Sequence, residues 1–245
     1  SESTGRVHVV TIRVGITLPQ FRDDATEAVE SAQRAEALGI DGVFCFDHLW
    51  PMGQPGRPAL SMAPFLGLLA EATSTIRLGS LVARIGLLPD DVLVNVMVSV
   101  QQLSGGRMIA GLGTGDRLSR AENDAYGLEF GPADDRRTHL REVAEKVAAA
   151  GLEVWIGGGG PKTVAVATAV PGAAVNLWEP SGEHLADLVG QGLTVTWGGR
   201  IGQSQAEMAD TLLRLESSGV SWAVAAWPED LDALAAARQE VLAAS

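Results

Sequence analysis

At 245 residues, 46% hydrophobic and 20% charged, the chain is long enough for one large domain or two small ones, with the composition of an ordinary soluble globule. Its net charge of −12 argues against nucleic acid as a partner, because such binding needs a basic face to replace phosphate counterions; a local basic pocket for an anionic ligand stays open. The single cysteine, Cys45, lies in an apolar run, which excludes a disulfide framework and a cysteine zinc site, and no run reaches the ~18 apolar residues of a membrane span.

Ser1 to Arg6 lack the basic start and apolar core of a signal peptide. Ser1–Gly5 reads as a loose leader, and the chain as soluble and cytoplasmic. Ile12–Leu18 is a β-branched first strand ended by Pro19. Asp23 and Asp24 can cap a helix whose apolar positions Ala28, Val29, Ala32, Ala35 and Leu38 keep helical spacing until Gly39. Asp41–Asp47 is the second strand, leading into His48-Leu49-Trp50 and a Pro/Gly loop over Pro51–Pro58. Helix Ser61–Ala72, strand Ile76–Val82, helix Asp90–Leu103 and strand Arg107–Leu112 follow. A polar excursion covers Asp116–Asp134, a lid over the site or a plain connection. Then come helix Asp135–Ala150, strand Glu153–Ile156, four glycines, and a helix from Pro161, well placed as a first helical residue, to about Val170. Strand Ala173–Trp178, helix Ser181–Gly190, strand Leu193–Trp197, helix Ser204–Ser218, strand Ser221–Ala226 and helix Glu229–Ala244 complete the chain.

Eight continuous apolar strands, each followed by a helix, describe a parallel sheet covered by helices and predict a single-domain (β/α)8 TIM barrel over residues 1–245. An open doubly wound sheet is the alternative. In such barrels the site lies at the C-terminal strand ends, and these carry the chemistry. The second strand ends in Asp47-His48, an imidazole that titrates near working pH beside a carboxylate able to orient it. The plainer reading is a capping Asp and a satisfied loop His. The fourth strand ends in Gly111-Leu112-Gly113-Thr114-Gly115-Asp116. No Gly-Lys-Ser/Thr follows, so this is no phosphate P-loop, and the spacing does not match a dinucleotide fingerprint. Gly157, Gly158, Gly159 and Gly160 precede Pro161-Lys162-Thr163 and bring bare backbone to a helix start, which suits a phosphate. Trp50, Trp178, Trp197 and Trp227 gather at strand ends, as a wall for an aromatic ligand or as gap-filling between barrel and loops. His8, His139 and His184 fall outside the strand ends, so no metal-ligand cluster forms. Asp47 and Asp116 could form a carboxylate pair, with nothing further to support it.

The segments Gly15-Ile16-Thr17-Leu18-Pro19, Phe46-Asp47-His48, Ile76-Arg77-Leu78-Gly79, Leu103-Ser104-Gly105-Gly106-Arg107, Gly111 to Asp116 and Trp155-Ile156-Gly157-Gly158-Gly159 together resemble the bacterial luciferase-like monooxygenase superfamily, in particular its branch dependent on the deazaflavin coenzyme F420. The resemblance implies a barrel that holds a reduced flavin or deazaflavin in its mouth. Asp47 and His48 would sit by the ring, with His48 a proton donor or substrate-positioning group. A non-prolyl cis peptide would fall at Leu81-Val82, within one residue, and back the ring. Gly113, Thr114, Gly115 and Asp116 would line the ring and ribityl side, while Gly157 to Gly160 with Lys162 would take the phosphate. The implied function is hydride transfer between coenzyme F420 and a small organic substrate. An FMN-dependent monooxygenase and a non-catalytic flavin-binding protein are the alternatives, and a homodimer is expected. The coenzyme carries a polyglutamate tail, which Arg57, Arg84, Lys162 or Arg200 could meet. Three departures stand out: the family's frequent Glu is here Asp116, its Ala-Asp-Gly segment before Asn176 is altered, and its long insertion before the fifth strand is missing. A more open mouth is expected.

Overall fold

Nine short parallel strands among the described residues occupy eight positions of a closed barrel. The computed structural model describes residues 11–228 and 230–244. The leader read over Ser1–Gly5 and the Glu229 start of the last helix lie outside them. In chain order the elements are β1 (Arg13–Thr17), α1 (Thr26–Ala37), β2 (Gly42–Cys45), α2 (Met62–Ala72), β3 (Arg77–Ser80), β4 (Ala83–Arg84), α3 (Asp90–Leu103), β5 (Met108–Gly113), α4 (Arg120–Ala125), α5 (Ala133–Ala149), β6 (Glu153–Gly157), α6 (Pro161–Ala169), β7 (Ala174–Trp178), α7 (Gly182–Gly190), β8 (Val195–Gly199), α8 (Gln205–Ser217), β9 (Trp222–Ala225) and α9 (Leu231–Ala244). β9 pairs with both β8 and β1, which closes the ring. This is the (β/α)8 barrel expected from the sequence, with two differences. The excursion contains the short helix α4, and the third barrel strand is broken into β3 and β4.

The break has a register. Gly79 faces Ile109, while Ala83 faces Leu112. The third strand therefore spends one residue more than its neighbour over this stretch, which is a bulge. The peptide Leu81-Val82 within it is cis.

Alternation along each strand sorts side chains to two sides. Val14, Val43, Leu112, Val175, Val195 and Ala223 face outward and join the apolar stripes of the helices in one core. Phe44, Ile109, Trp155, Ala174, Trp222 and Val224 face inward and form a second cluster inside the barrel. Phe44 stacks on Trp155 at 5.1 Å between centroids and meets Trp222 edge-on at 5.9 Å. Room for it comes from Gly79, where a Cβ would stand 2.4 Å from the Phe44 ring. The barrel interior is thus a packed plug of side chains.

The N-terminal end of the barrel is tied by side chains. Arg107 is buried and donates to the carbonyls of Ala70, Thr73, Ile76 and Ser104. That part of the Ser104–Arg107 motif thus holds the end of α2, away from the mouth. Glu36 accepts from the amides of Ser74, Thr75 and Ile76 and from the Thr75 hydroxyl. Burial alone would push its carboxyl up, but those donors outweigh it and hold it at about 2. A depressed folded pKa contributes stability above the ordinary Glu range and loses it as pH falls through the folded value. Glu36→Gln is expected to cost ~1.5–3 kcal/mol at neutral pH. The gap from the unchanged protein should close between pH 5 and pH 2 in urea titrations. A gap constant with pH would contradict this assignment.

Candidate active site

The C-terminal end of β2 is held by a buried amide. Gln20 accepts from Phe46 N (2.7 Å) and donates to the carbonyls of Phe46 (2.8 Å) and Leu60 (2.6 Å). Phe46, Asp47 and His48 leave the barrel from this fixed point. Asp47 Oδ2 accepts from the Arg84 amide at 2.8 Å, and its carbonyl accepts from Arg84 Nε at 3.0 Å, which ties the end of β2 to β4. Burial pushes the Asp47 carboxyl above the ordinary aspartate range, against the amide and charge of Arg84.

The partner of His48 is Glu122 on α4, 74 residues along the chain. Glu122 Oε1 lies 2.8 Å from His48 Nδ1, and Oε2 accepts from Leu49 N at 3.0 Å and from Arg84 Nη2 at 2.6 Å. Arg84 Nη1 donates to the Ser119 carbonyl (3.2 Å) and Asn123 Oδ1 (3.4 Å). Glu122 and Arg84 are buried, and the His48 side chain keeps 19% exposure. Burial pushes the Glu122 carboxyl up, but the bonds from His48 and Leu49 and the Arg84 charge bring it below its ordinary value. The expectation that Asp47 orients His48 is therefore corrected. Successive side chains on extended backbone point apart, so Asp47 turns to Arg84 and His48 to Glu122. The expected role of Arg84 toward an anionic tail is corrected too, since its guanidinium is enclosed. Arg84 between Ala83 and Ile85 was the available signal: a cation inside an apolar strand end requires a buried anion.

The floor of the mouth is the bulge. Leu81 and Val82 pack at the top of the inner cluster. A Cβ at Gly113 would stand 2.5 Å from Val82, and one at Gly157 2.9 Å from it. At Gly111 it would stand 2.0 Å from the Ser80 carbonyl. These glycines seat the bulge, and the inner faces of Gly113 and Gly157 are taken by Val82. The walls are aromatic. Phe46 lies 6.2 Å from Trp178, 5.8 Å from Phe21 and 6.4 Å from His48 between ring centroids. Trp178 stands over Gly198, where a Cβ would come 2.8 Å from its ring, and is 48% exposed. Asn176 donates to Thr196 Oγ1 at 2.9 Å.

Trp50 and Trp227 are half-buried, and the Trp227 amide donates to Thr17 Oγ1. Trp197 faces the other way. It belongs to the same core between barrel and helices as Leu185 and Leu215, so its expected place in a wall for an aromatic ligand is corrected: along β8, Thr196 and Gly198 take the inner side. Thr114 is half-buried, and its carbonyl accepts from Arg136 Nε at 3.0 Å. Gly115 takes a φ of +68°, where a Cβ would crowd Ser119. The Asp116 carboxylate accepts from the amides of Leu118 and Ser119 and from the Ser119 hydroxyl; it shapes the entry to α4.

The glycine tract sits at the start of α6. Gly160 is its N-cap and Pro161 its first residue. Gly158 has a φ of +122°, and its amide donates to the Asn176 carbonyl. Beyond its own chain neighbours no atom lies within 4 Å of where a Gly160 Cβ would stand, so backbone is accessible at a helix N-terminus, an arrangement suited to an anion. Lys162, in the first turn, is exposed and bonded to Asp134 at 2.9 Å. His184, expected outside the site, reaches it: Nε2 lies 3.2 Å from the Gly159 carbonyl.

The family model for luciferase-like monooxygenases matches residues 5–151. A glucose-6-phosphate dehydrogenase of Microbacterium testaceum, described as F420-dependent, is 28% identical over 60% of this chain and 42% of its own. The corresponding protein of Intrasporangium calvum is 33% identical over 48% of this chain and 35% of its own. The chain thus spans less than half the length of the curated relatives it matches. Among solved structures, an F420-dependent secondary alcohol dehydrogenase in complex with an F420-acetone adduct superposes with a TM-score of 0.77 at 13% identity, over 96% of this chain and 99% of that one. The coenzyme F420-dependent tetrahydromethanopterin reductase of Methanopyrus kandleri superposes with a TM-score of 0.74 at 16% identity, over 95% and 99%. At such identities these likenesses speak for the fold alone.

Proposed function

The chain belongs to the luciferase-like monooxygenase family, and on that premise we propose that it is an oxidoreductase that uses coenzyme F420 to move a hydride to or from a small organic substrate. The observation that carries this reading is the bond from Glu122 to His48 Nδ1 at the edge of a mouth floored by Leu81 and Val82. The F420-dependent relatives support the choice of coenzyme.

The residues fit such a group. Leu81 and Val82 offer an apolar floor, Phe46 and Trp178 flat walls, Gly198 seats the Trp178 ring, and Gly160 leaves open backbone at the start of α6. Gly158 to Gly160 and the first turn of α6 would hold the phosphate. When bound, the deazaflavin supplies the carbon that accepts or gives the hydride. Glu122 accepts a hydrogen bond from His48 Nδ1–H, so Nε2 is the nitrogen left to exchange a proton. Nε2 takes the hydroxyl proton of an alcohol or returns it to a carbonyl oxygen. Asp47 and Arg84 hold the backbone that presents the imidazole.

Titration of the purified protein with F420 and, in parallel, with FMN tests this, read by coenzyme fluorescence. Saturable binding of F420 alone is expected. Saturation by FMN alone would support the second reading, a flavin-dependent monooxygenase, which the name of the family model favours. Binding of neither would overturn both.

A further inference from the structure

Outside the mouth, the excursion gathers cations in a chain of net charge −12. Arg117, Arg120 and Arg136 line one open cavity of about 560 Å³ together with Glu129, Phe130 and Gly131. Two guanidinium groups lie over the Phe130 ring, Arg136 at 3.9 Å and Arg120 at 4.9 Å from its centroid. Arg136 donates to the carbonyls of Thr114 and Gly131, and Arg120 to that of Phe130. Among the described residues none of the three arginines has a carboxylate at ion-pair distance, whereas Arg137 is paired with Asp134. Burial, and then the charges of Arg137 and Arg120, hold the Arg136 guanidinium below its ordinary value. Three guanidiniums outside ion-pair distance of any described carboxylate share one cavity with the single carboxylate of Glu129, an excess of cations suited to an anion with several charged groups.

The geometry points to this cavity as the seat of the carboxylate-bearing tail of the coenzyme, an inference that rests on the F420 reading above. Of the other basic groups considered for that task, Arg84 is paired with Glu122, Lys162 with Asp134 and Arg200 with Glu179, while Arg57 donates to the Gln54 side-chain oxygen. The path is short. Asp134, bonded to Lys162 in the first turn of α6, follows Ala133 on the rim of the cavity. A chain leaving a phosphate at Gly158–Gly160 passes α5 and reaches the arginines there. Phe130 holds the Arg120 and Arg136 guanidiniums against its ring, and their forks take carboxylates.

The test compares coenzyme bearing an oligoglutamate tail with the coenzyme core that ends at the phosphate, in the unchanged protein and in Arg117→Ala/Arg120→Ala. Both positions are exposed, and Arg136 is left in place because it bonds the Thr114 carbonyl. The tail is expected to tighten binding about tenfold at low salt. This ratio should fall to near one in the double variant, and in the unchanged protein at high salt. Penta-γ-glutamate alone, titrated by calorimetry, is the second probe, with binding that the double variant loses. Equal binding of tailed and tail-less coenzyme, or a ratio untouched in the variant, overturns the tail site and leaves the F420 reading standing. If neither coenzyme form binds, arginine-dependent binding of penta-γ-glutamate still supports a carboxylate site while the coenzyme reading falls. Absence of that binding as well overturns both.

Discussion

Glu122→Ala is expected to destabilise the protein by about 3–5 kcal/mol, the cost of leaving one member of a buried ion pair without its partner. Glu122 and Arg84 are 2.6 Å apart with side chains 2% and 5% exposed. Removing the carboxylate leaves Arg84 enclosed with two backbone carbonyls and the Asn123 amide oxygen. The Leu49 amide and His48 Nδ1 lose their acceptor at the same time. For a domain of this size the expected fall in melting temperature is about 10 °C. Glu122→Gln keeps an acceptor and the volume, so it should cost less than Glu122→Ala. Arg84→Met combined with Glu122→Leu should recover much of the loss, because a buried pair replaced by apolar groups is often neutral. A fall of less than about 2 °C for Glu122→Ala would show that the excursion is not anchored by this residue.

On the proposed F420 reading, His48→Ala is expected to lower kcat/KM for hydride transfer by about 10²- to 10⁴-fold, the usual worth of a positioned acid or base. Nδ1 is occupied by Glu122, and the exchangeable proton therefore belongs to Nε2. The floor at Leu81 and Val82 and the glycine tract do not depend on the imidazole, so coenzyme affinity should change little. The loss should fall on kcat more than on KM. Added imidazole should restore part of the rate, because it supplies the missing proton carrier to an intact mouth. Unchanged turnover in His48→Ala with coenzyme still bound would remove His48 from the proton transfer.

The two substitutions separate what was legible in the chain from what was not. His48 was legible because it follows the second strand directly, at the barrel end where sites are built. Glu122 was not, since α4 is six residues long and too short to show helical periodicity. Its partner is set by where the excursion folds back.

The succession of apolar runs and helices by itself determined the order of strands and helices and a parallel sheet covered by helices. These follow from local patterns of burial, which each strand and helix carries in its own residues. Only the tertiary structure decided the pairings. Those of β1 with β9 and β3 with β5 decided for a closed barrel over an open sheet. The tertiary structure also gave His48 to Glu122 and Asp47 to the Arg84 amide. It turned Trp197 to the helix side, since a single step along a strand changes its face. It made Gly111, Gly113 and Gly157 the seat of Val82 and Ser80, and it brought Arg117, Arg120 and Arg136 around Phe130. Each of these depends on the distance between residues remote in the chain, and such distances exist only once the barrel has closed.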